Sequence, residues 1–415
     1  MKPIPEASPE TRSRWSWLVE PARPRRIAAW ENAHWLVVGT VCIGAFMGQL
    51  DASIVSLALP TLHRQFAITI GAVEWVALAY LLTLVSTVIA VGRLADMAGR
   101  KLLYTYGFIV FIAGSAACGL APSFAVLVGA RVFQALGAAM LQANSVAIIV
   151  QAVPRGKLGR SIGVQGAAQA VGLALGPAVG GLLVTAGGWR LIFFINIPMG
   201  IAGTILGWFL IPRSRHLQAA QPFDWLGAAL FSPAIAAPVA AVSLGSDYGW
   251  NSPIILGLFA IGILFAGSFL WRETHAASPM IDLGLFRRIP FSAGIGSGLL
   301  SYLALFGILF IVPFYLEIKR GFSAADSGLL LTALPAALAV TAPLAGKLSD
   351  RLGARPVTVS GMLITALGLL AMAMVRRPEA ALLAELALIG VGLGAFTPAN
   401  NAAIMGSAPL NQTGL

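Results

Sequence analysis

"GRLADMAGRK" occupies residues 92–101 and "GKLSDRLGAR" occupies residues 346–355. Setting Gly92 against Gly346 gives an offset of 346 − 92 = 254, at which Asp96 meets Asp350, Gly99 meets Gly353 and Lys101 meets Arg355. Only 10% of the 415 residues are charged, so two such clusters in matching order point to an internal repeat. Composition indicates what is repeated. Hydrophobic residues make up 58% of the chain, its mean hydropathy is +0.85 and it contains 46 glycines. A soluble globular domain is less apolar and about a quarter charged, so the chain reads as a membrane protein. Its two cysteines, Cys42 and Cys118, each lie within an apolar run, which leaves no disulfide framework and no cysteine metal cluster.

A hydrocarbon core about 30 Å thick takes about 20 apolar residues per helix, and lipid tolerates no unpaired backbone. Twelve runs meet that requirement: 34–59, 72–92, 102–121, 124–150, 160–186, 190–211, 225–245, 252–271, 291–317, 325–346, 357–375 and 380–406. With residues 1–33 read as a cytoplasmic tail, the cytoplasmic segments hold 20 of the 27 Lys and Arg residues, the outer segments hold six, and Arg131 lies within a span. The positive-inside rule then puts the N-terminus in the cytoplasm and accounts for the net charge of +11 without a nucleic-acid partner.

The repeat divides the chain into a tail at 1–33, a six-span half at 34–211, a loop with two inserted spans at 212–272, a cytoplasmic loop at 273–290 and a second half at 291–415. Because 415 − 254 = 161 falls at the start of the fifth span of the first half, the second half is expected to hold four spans. The sequence is therefore expected to be a truncated form of a protein with fourteen helices.

The repeated segment resembles the cytoplasmic signature of the major facilitator superfamily. Four further stretches narrow the likeness: "LDASIVSLALP" at 50–60, "RVFQALGAAM" at 131–140, "GLALGPAVGG" at 172–181 and "WRLIFFINIPMG" at 189–200. Together they resemble the fourteen-helix drug:proton antiporter branch, a multidrug-resistance group. The resemblance implies an all-α polytopic protein of the cell inner membrane, with two six-helix halves and two inserted central helices. It further implies export of small hydrophobic, often cationic compounds in exchange for protons. A periplasmic adaptor is left open.

Asp51 lies inside the first apolar run, where an acid costs about 2.5 to 3.5 kcal/mol to insert. Such a residue is either a functional group facing the bundle interior or an acid in a solvated vestibule, and the resemblance, which has an acid here too, implies a proton carrier. Arg131 is the basic residue deepest in a span, and Gln134 follows one turn later on the same face. Arginine stays charged, so Arg131 tunes a neighbouring acid electrostatically or fixes helix packing by a charge pair. The resemblance ties it to proton coupling. Glu385, at 385 − 254 = 131, is the counterpart of Arg131 in the second half; it reads either as a coupling or substrate group or as an acid at an outer helix end.

Gly172, Gly176 and Gly180 recur every four residues and smooth one helix face, with Gly181 beside them, and Pro177 is expected to kink that helix. The pattern resembles the antiporter signature of exporting members. In the repeated segments Gly92 and Gly99 read as turn glycines, while Asp96 is expected to accept from the start of the next helix and to pair with a base. Arg100 and Lys101 anchor the segment inside. In the family this segment latches the two halves, which makes Asp96 a gate residue, and Asp350 and Arg351 its weaker counterparts.

Phe46, Trp75, Phe306, Phe310 and Tyr315 read as lipid-facing or core aromatics rather than as a site. His34, His63, His216 and His275 show no metal spacing, and no phosphate-cradling motif occurs. The expectation is a transporter driven by an ion gradient, with no cofactor. The alternatives are an exporter of one narrow substrate class, such as a siderophore, sugar or amino acid, and a channel or membrane enzyme. The latter would need polar clusters that the sequence lacks.

Overall fold

The computed structural model describes residues 20, 22–24, 27, 30–214, 224–276, 279–281, 283–322, 329–373 and 379–407. Most of the expected tail at 1–33 therefore lies outside the described residues, as do 215–223 and 408–415. Among the described residues every regular element is helical. The long helices are α1 (Ala33–Ile54), α2 (Ile70–Ala98), α3 (Arg100–Gly119), α4 (Phe124–Ala152), α5 (Leu158–Gly187) and α6 (Asn196–Leu210). They continue with α7 (Trp225–Tyr248), α8 (Pro253–His275), α9 (Ile289–Phe314), α10 (Ala333–Leu352), α11 (Ala354–Ala373) and α12 (Glu379–Ser407). Eleven spans are long and apolar enough to cross a bilayer, and α5 adds a twelfth, its arms at 158–176 and 179–187 meeting at 44°. That bend falls where Pro177 removes a helix hydrogen bond; the ring of Pro177 itself lies outside the described side chains.

Local chemistry sets the helix ends. Ser123 accepts from Val126 N at 3.4 Å and starts α4 directly after Pro122, while Ser252 accepts from Ile255 N at 3.3 Å and places Pro253 in the first turn of α8. α1 stops short of the expected 34–59. A 3₁₀ turn at Val55–Ala58 and a short helix at Leu59–Phe66 follow it, with Pro60, which has no backbone N–H to donate, at the start of the short helix. The expected turn at Gly92 is also absent. Gly92 lies inside α2, and the chain breaks at Gly99 alone, where φ is +118°. At the 254 offset Gly353 repeats that break, with φ of +84° between α10 and α11.

α1 to α6 pack around Met47, Tyr104, Phe108, Phe111 and Ile149, whereas α9, α10 and α12 pack around Ile308, Leu334, Leu386 and Ile389. The two groups meet along α5 and α10. A Cβ on Gly159 would stand 2.6 Å from Gly346 O, and one on Gly346 would stand 2.9 Å from Arg160 Cα, so only glycine permits this approach. α7 and α8 form a hairpin closed by an Arg272–Asp224 ion pair of 3.1 Å. The hairpin docks on α2, where Ser232 Oγ donates to Ser86 O at 3.2 Å and Ser86 Oγ donates to Ser232 O at 3.4 Å. Its other faces expose Val242, Ile263, Leu264 and Trp271, as a lipid-facing helix pair requires.

Candidate functional site

Asp51, three residues from the end of α1, is fully buried. Its Oδ2 accepts from Arg131 Nη1 at 2.7 Å, and its Oδ1 accepts from Gln134 Nε2 at 2.9 Å and Asn196 Nδ2 at 2.8 Å. Arg131 also donates from Nε to Val76 O at 2.9 Å and from Nη1 to Gln134 Oε1 at 2.7 Å, and its guanidinium lies 4.1 Å from the Tyr80 ring centroid. Ser115 Oγ accepts from Gln134 at 2.6 Å and from Asn196 at 3.0 Å. One carboxylate thus joins α1, α2, α3, α4 and α6 through a chain of charge-assisted hydrogen bonds sealed from solvent. Gln134 fits there because Gly114 lets α3 approach: a Cβ at Gly114 would stand 2.5 Å from Gln134 Cα.

The small-residue face of α5 is what holds α1 in place. A Cβ on Gly172 would stand 2.5 Å from Phe46 O, one on Gly176 would stand 2.6 Å from Ser53 Cβ, and one on Gly180 would stand 2.8 Å from Ile54 Cγ1. Those contacts bracket Asp51 on both sides. Gly181 is half-buried on the same helix.

The two charged repeats do different things. Asp96 and Arg100 form a buried pair, with Nη2 and Nε of Arg100 donating to Asp96 Oδ1 at 2.6 and 2.9 Å. Asp96 does not cap the next helix, as the sequence suggested. Glu20 takes that place, accepting from Leu102 N at 3.3 Å and from Ser214 N at 2.8 Å, while Ser214 Oγ accepts from Lys101 N at 3.1 Å. Asp350 instead reaches across the halves, accepting from Gly159 N at 2.7 Å and Arg160 N at 3.0 Å at the start of α5. Lys101 is buried and Arg351 exposed.

A cavity lies between the halves, walled by Gln49 of α1, residues 162–173 of α5, Ser301 to Phe306 of α9, and parts of α10 and α12. Asp51 and Arg131 are not on its wall. Gln49 faces the cavity, and two residues on turn the α1 surface by about 200°, which aims Asp51 into the first half instead. Glu385 is buried on α12 and is likewise off the wall, and of Phe46, Trp75, Phe306 and Tyr315 only Phe306 lines it, the side chain of Phe310 lying outside the described residues.

The sequence profile of the Major Facilitator Superfamily matches residues 41–278 and 224–415. The chain belongs to that superfamily. It is 34% identical over 382 residues to the riboflavin transporter RibZ of Clostridioides difficile, covering 92% of this chain and 82% of that one. It is 36% identical over 376 residues to the multidrug resistance protein Stp of Mycobacterium tuberculosis, covering 90% and 70%. Among solved structures, the proton:xylose symporter XylE shares the fold with a TM-score of 0.64 at 15% identity, covering 92% of this chain and 84% of that one. This facilitator is a multi-pass membrane transporter and not an enzyme.

Several site residues of this facilitator escape a reading of the sequence alone. Asn196 and Ser115 complete the Asp51 network, and Gln49, Gln165, Gln169 and Asn401 supply the cavity's amides. The available signal is the same in each case: a polar side chain inside an apolar run. Asn196 even falls within the "WRLIFFINIPMG" stretch, flanked by isoleucines.

Proposed function

We propose that the protein is a proton-coupled exporter of small hydrophobic compounds, working by alternating access, in the fourteen-helix drug:proton antiporter branch. The observation that carries this reading is the buried Asp51–Arg131–Gln134 network beside a cavity between two halves. Asp51 is the proton carrier. When charged it neutralises Arg131; once protonated it leaves a buried guanidinium without its counter-ion, and that cost drives the helices holding the network to rearrange. Asp350, bonded across the halves to the start of α5, is the gate, with the buried Asp96–Arg100 pair as its partner in the first repeat. The halves are 34–211 and 291 onward, 212–272 carries the inserted hairpin, and the N-terminus is cytoplasmic in the inner membrane, as the 20-to-six distribution of basic residues supports. The similarity to the multidrug resistance protein Stp supports drug resistance as the physiological outcome, and that to the riboflavin transporter RibZ supports a narrower substrate as the second reading. Among the described residues the cavity wall carries no carboxylate to pair with a cationic compound.

The test is transport in proteoliposomes under an imposed pH gradient, with a hydrophobic fluorescent dye as cargo. Wild type is expected to concentrate the dye against its gradient, and Asp51→Asn, shown to be folded by monodisperse elution, is expected to lose that accumulation. Undiminished accumulation in the variant would remove Asp51 as the carrier.

A further inference from the structure

Among the described residues, the wall of the central cavity contains no Asp, Glu, Lys or Arg. Its polar groups are amides and hydroxyls, and they differ in how far they are already used. Ser301 Oγ donates to Gly298 O at 2.7 Å and Thr397 Oγ1 donates to Leu393 O at 2.9 Å, so both hydroxyls are committed to their own helices. The amides of Gln49, Gln165, Gln169 and Asn401 make no hydrogen bond among the described residues. Gln165 is only 4% exposed. Its amide opens on the cavity without a protein partner, and its two donors and its acceptor are the unspent capacity of this site. Opposite α5, Tyr302 and Phe306 stand one helical turn apart with ring centroids 6.2 Å apart and planes within 17°, which puts two near-parallel aromatic rings on the wall.

The geometry points to an uncharged, planar, heteroatom-edged aromatic compound as the substrate class. The inference rests on the transporter reading above and specifies what its cavity selects. A cation entering here gives up its hydration and gains only amide oxygens and ring faces, because the acid of α1 is turned away and neutralised by Arg131. An anion fares no better without a basic side chain in the wall. A neutral ring system carrying alternating carbonyl and N–H groups on its edge satisfies the four amides in both senses and stacks on Tyr302 and Phe306.

Two fluorescent tricyclic probes separate charge from shape: lumichrome, which is neutral with a donor-and-acceptor edge, and ethidium, which is cationic. Equilibrium anisotropy titrations with the purified full chain in detergent micelles are expected to show saturable lumichrome binding and at least about tenfold weaker ethidium binding. Gln165→Leu is expected to weaken lumichrome by about fivefold or more while leaving ethidium unchanged, the size of one lost hydrogen bond. Gln169→Glu is expected to reverse the preference. Both probes are measured on one preparation, so a partly unfolded variant lowers the two signals together and leaves their ratio intact. The proposal is overturned by ethidium binding as tightly as lumichrome, by the absence of saturable lumichrome binding, or by a ratio that neither variant moves. No gradient enters this measurement, so loss of proton coupling in vesicles with the lumichrome preference intact removes the coupling mechanism alone.

Discussion

Asp51 and Arg131 are each all but sealed from solvent, at 0% and 1% exposure, and neither is tolerable alone. Removing one partner of a buried ion pair costs about 3–5 kcal/mol because the other charge stays behind. Asp51→Asn keeps an oxygen for the amide donors but leaves the Arg131 guanidinium uncompensated between Val76 O and Gln134, so a clear loss of thermal stability in detergent is expected. The double variant Asp51→Asn/Arg131→Gln removes both charges and is expected to unfold above the single one, giving a coupling of about 3 kcal/mol in a double-mutant cycle. Strictly additive losses would show that the pair holds nothing together. The two charges were legible in the sequence because ionised groups within apolar runs are rare. Asn196 and Ser115 were not, since a neutral polar residue on an apolar helix acquires meaning only from the face it occupies, and that depends on how the helix is rotated against its neighbours.

At the scale of one helix, α5 carries two separate duties along its length. Its glycine face fits against α1, and its first turn receives Asp350. Gly172→Val places a branched side chain against the Phe46 carbonyl, which is backbone and cannot rotate aside. Destabilisation of about 1–3 kcal/mol is expected, seen as a lowered melting temperature. Gly166→Val, on the same helix with open space around its Cβ position, is expected to be tolerated, and equal losses at both positions would discount the packing argument. Asp350→Ala strips the N–H groups of Gly159 and Arg160 of their acceptor and is expected to cost about 1 kcal/mol, as for the loss of an N-cap. The four-residue glycine spacing was readable as a smooth face, but which helix it met was not. The repeated charged segment misled in a specific way: Gly92 resembled a turn, yet the helix-forming residues from Arg93 to Ala98 carry α2 on to Gly99, the residue whose backbone cannot stay helical.

Across the whole molecule, the offset of 254 found in ten residues of sequence is also an offset in backbone geometry, since Gly99 and Gly353 both break their helices at positive φ. Composition and spacing therefore sufficed for the number of spans. What they could not supply was the state in which the halves meet, because that depends on surfaces far apart in the chain. Here the halves touch through glycine backbones, Gly159 against Gly346 and Gly163 against Ala342, with the Asp350 carboxylate bonded across the seam. Such a contact closes the bundle at the end carrying both charged repeats, and a side chain at Gly346 is incompatible with it. Gly346→Leu is expected to shift the population towards a form open at that end. The shift is measurable as the rate at which a membrane-impermeant maleimide, applied from that side, labels Gln169→Cys on the cavity wall in a protein whose Cys42 and Cys118 are replaced by serine. An acceleration of about tenfold corresponds to about 1.4 kcal/mol of shift. If labelling stayed at the rate of the Gly346 protein while both eluted as folded species, the α5–α10 seam would not be the barrier between the cavity and that side of the membrane.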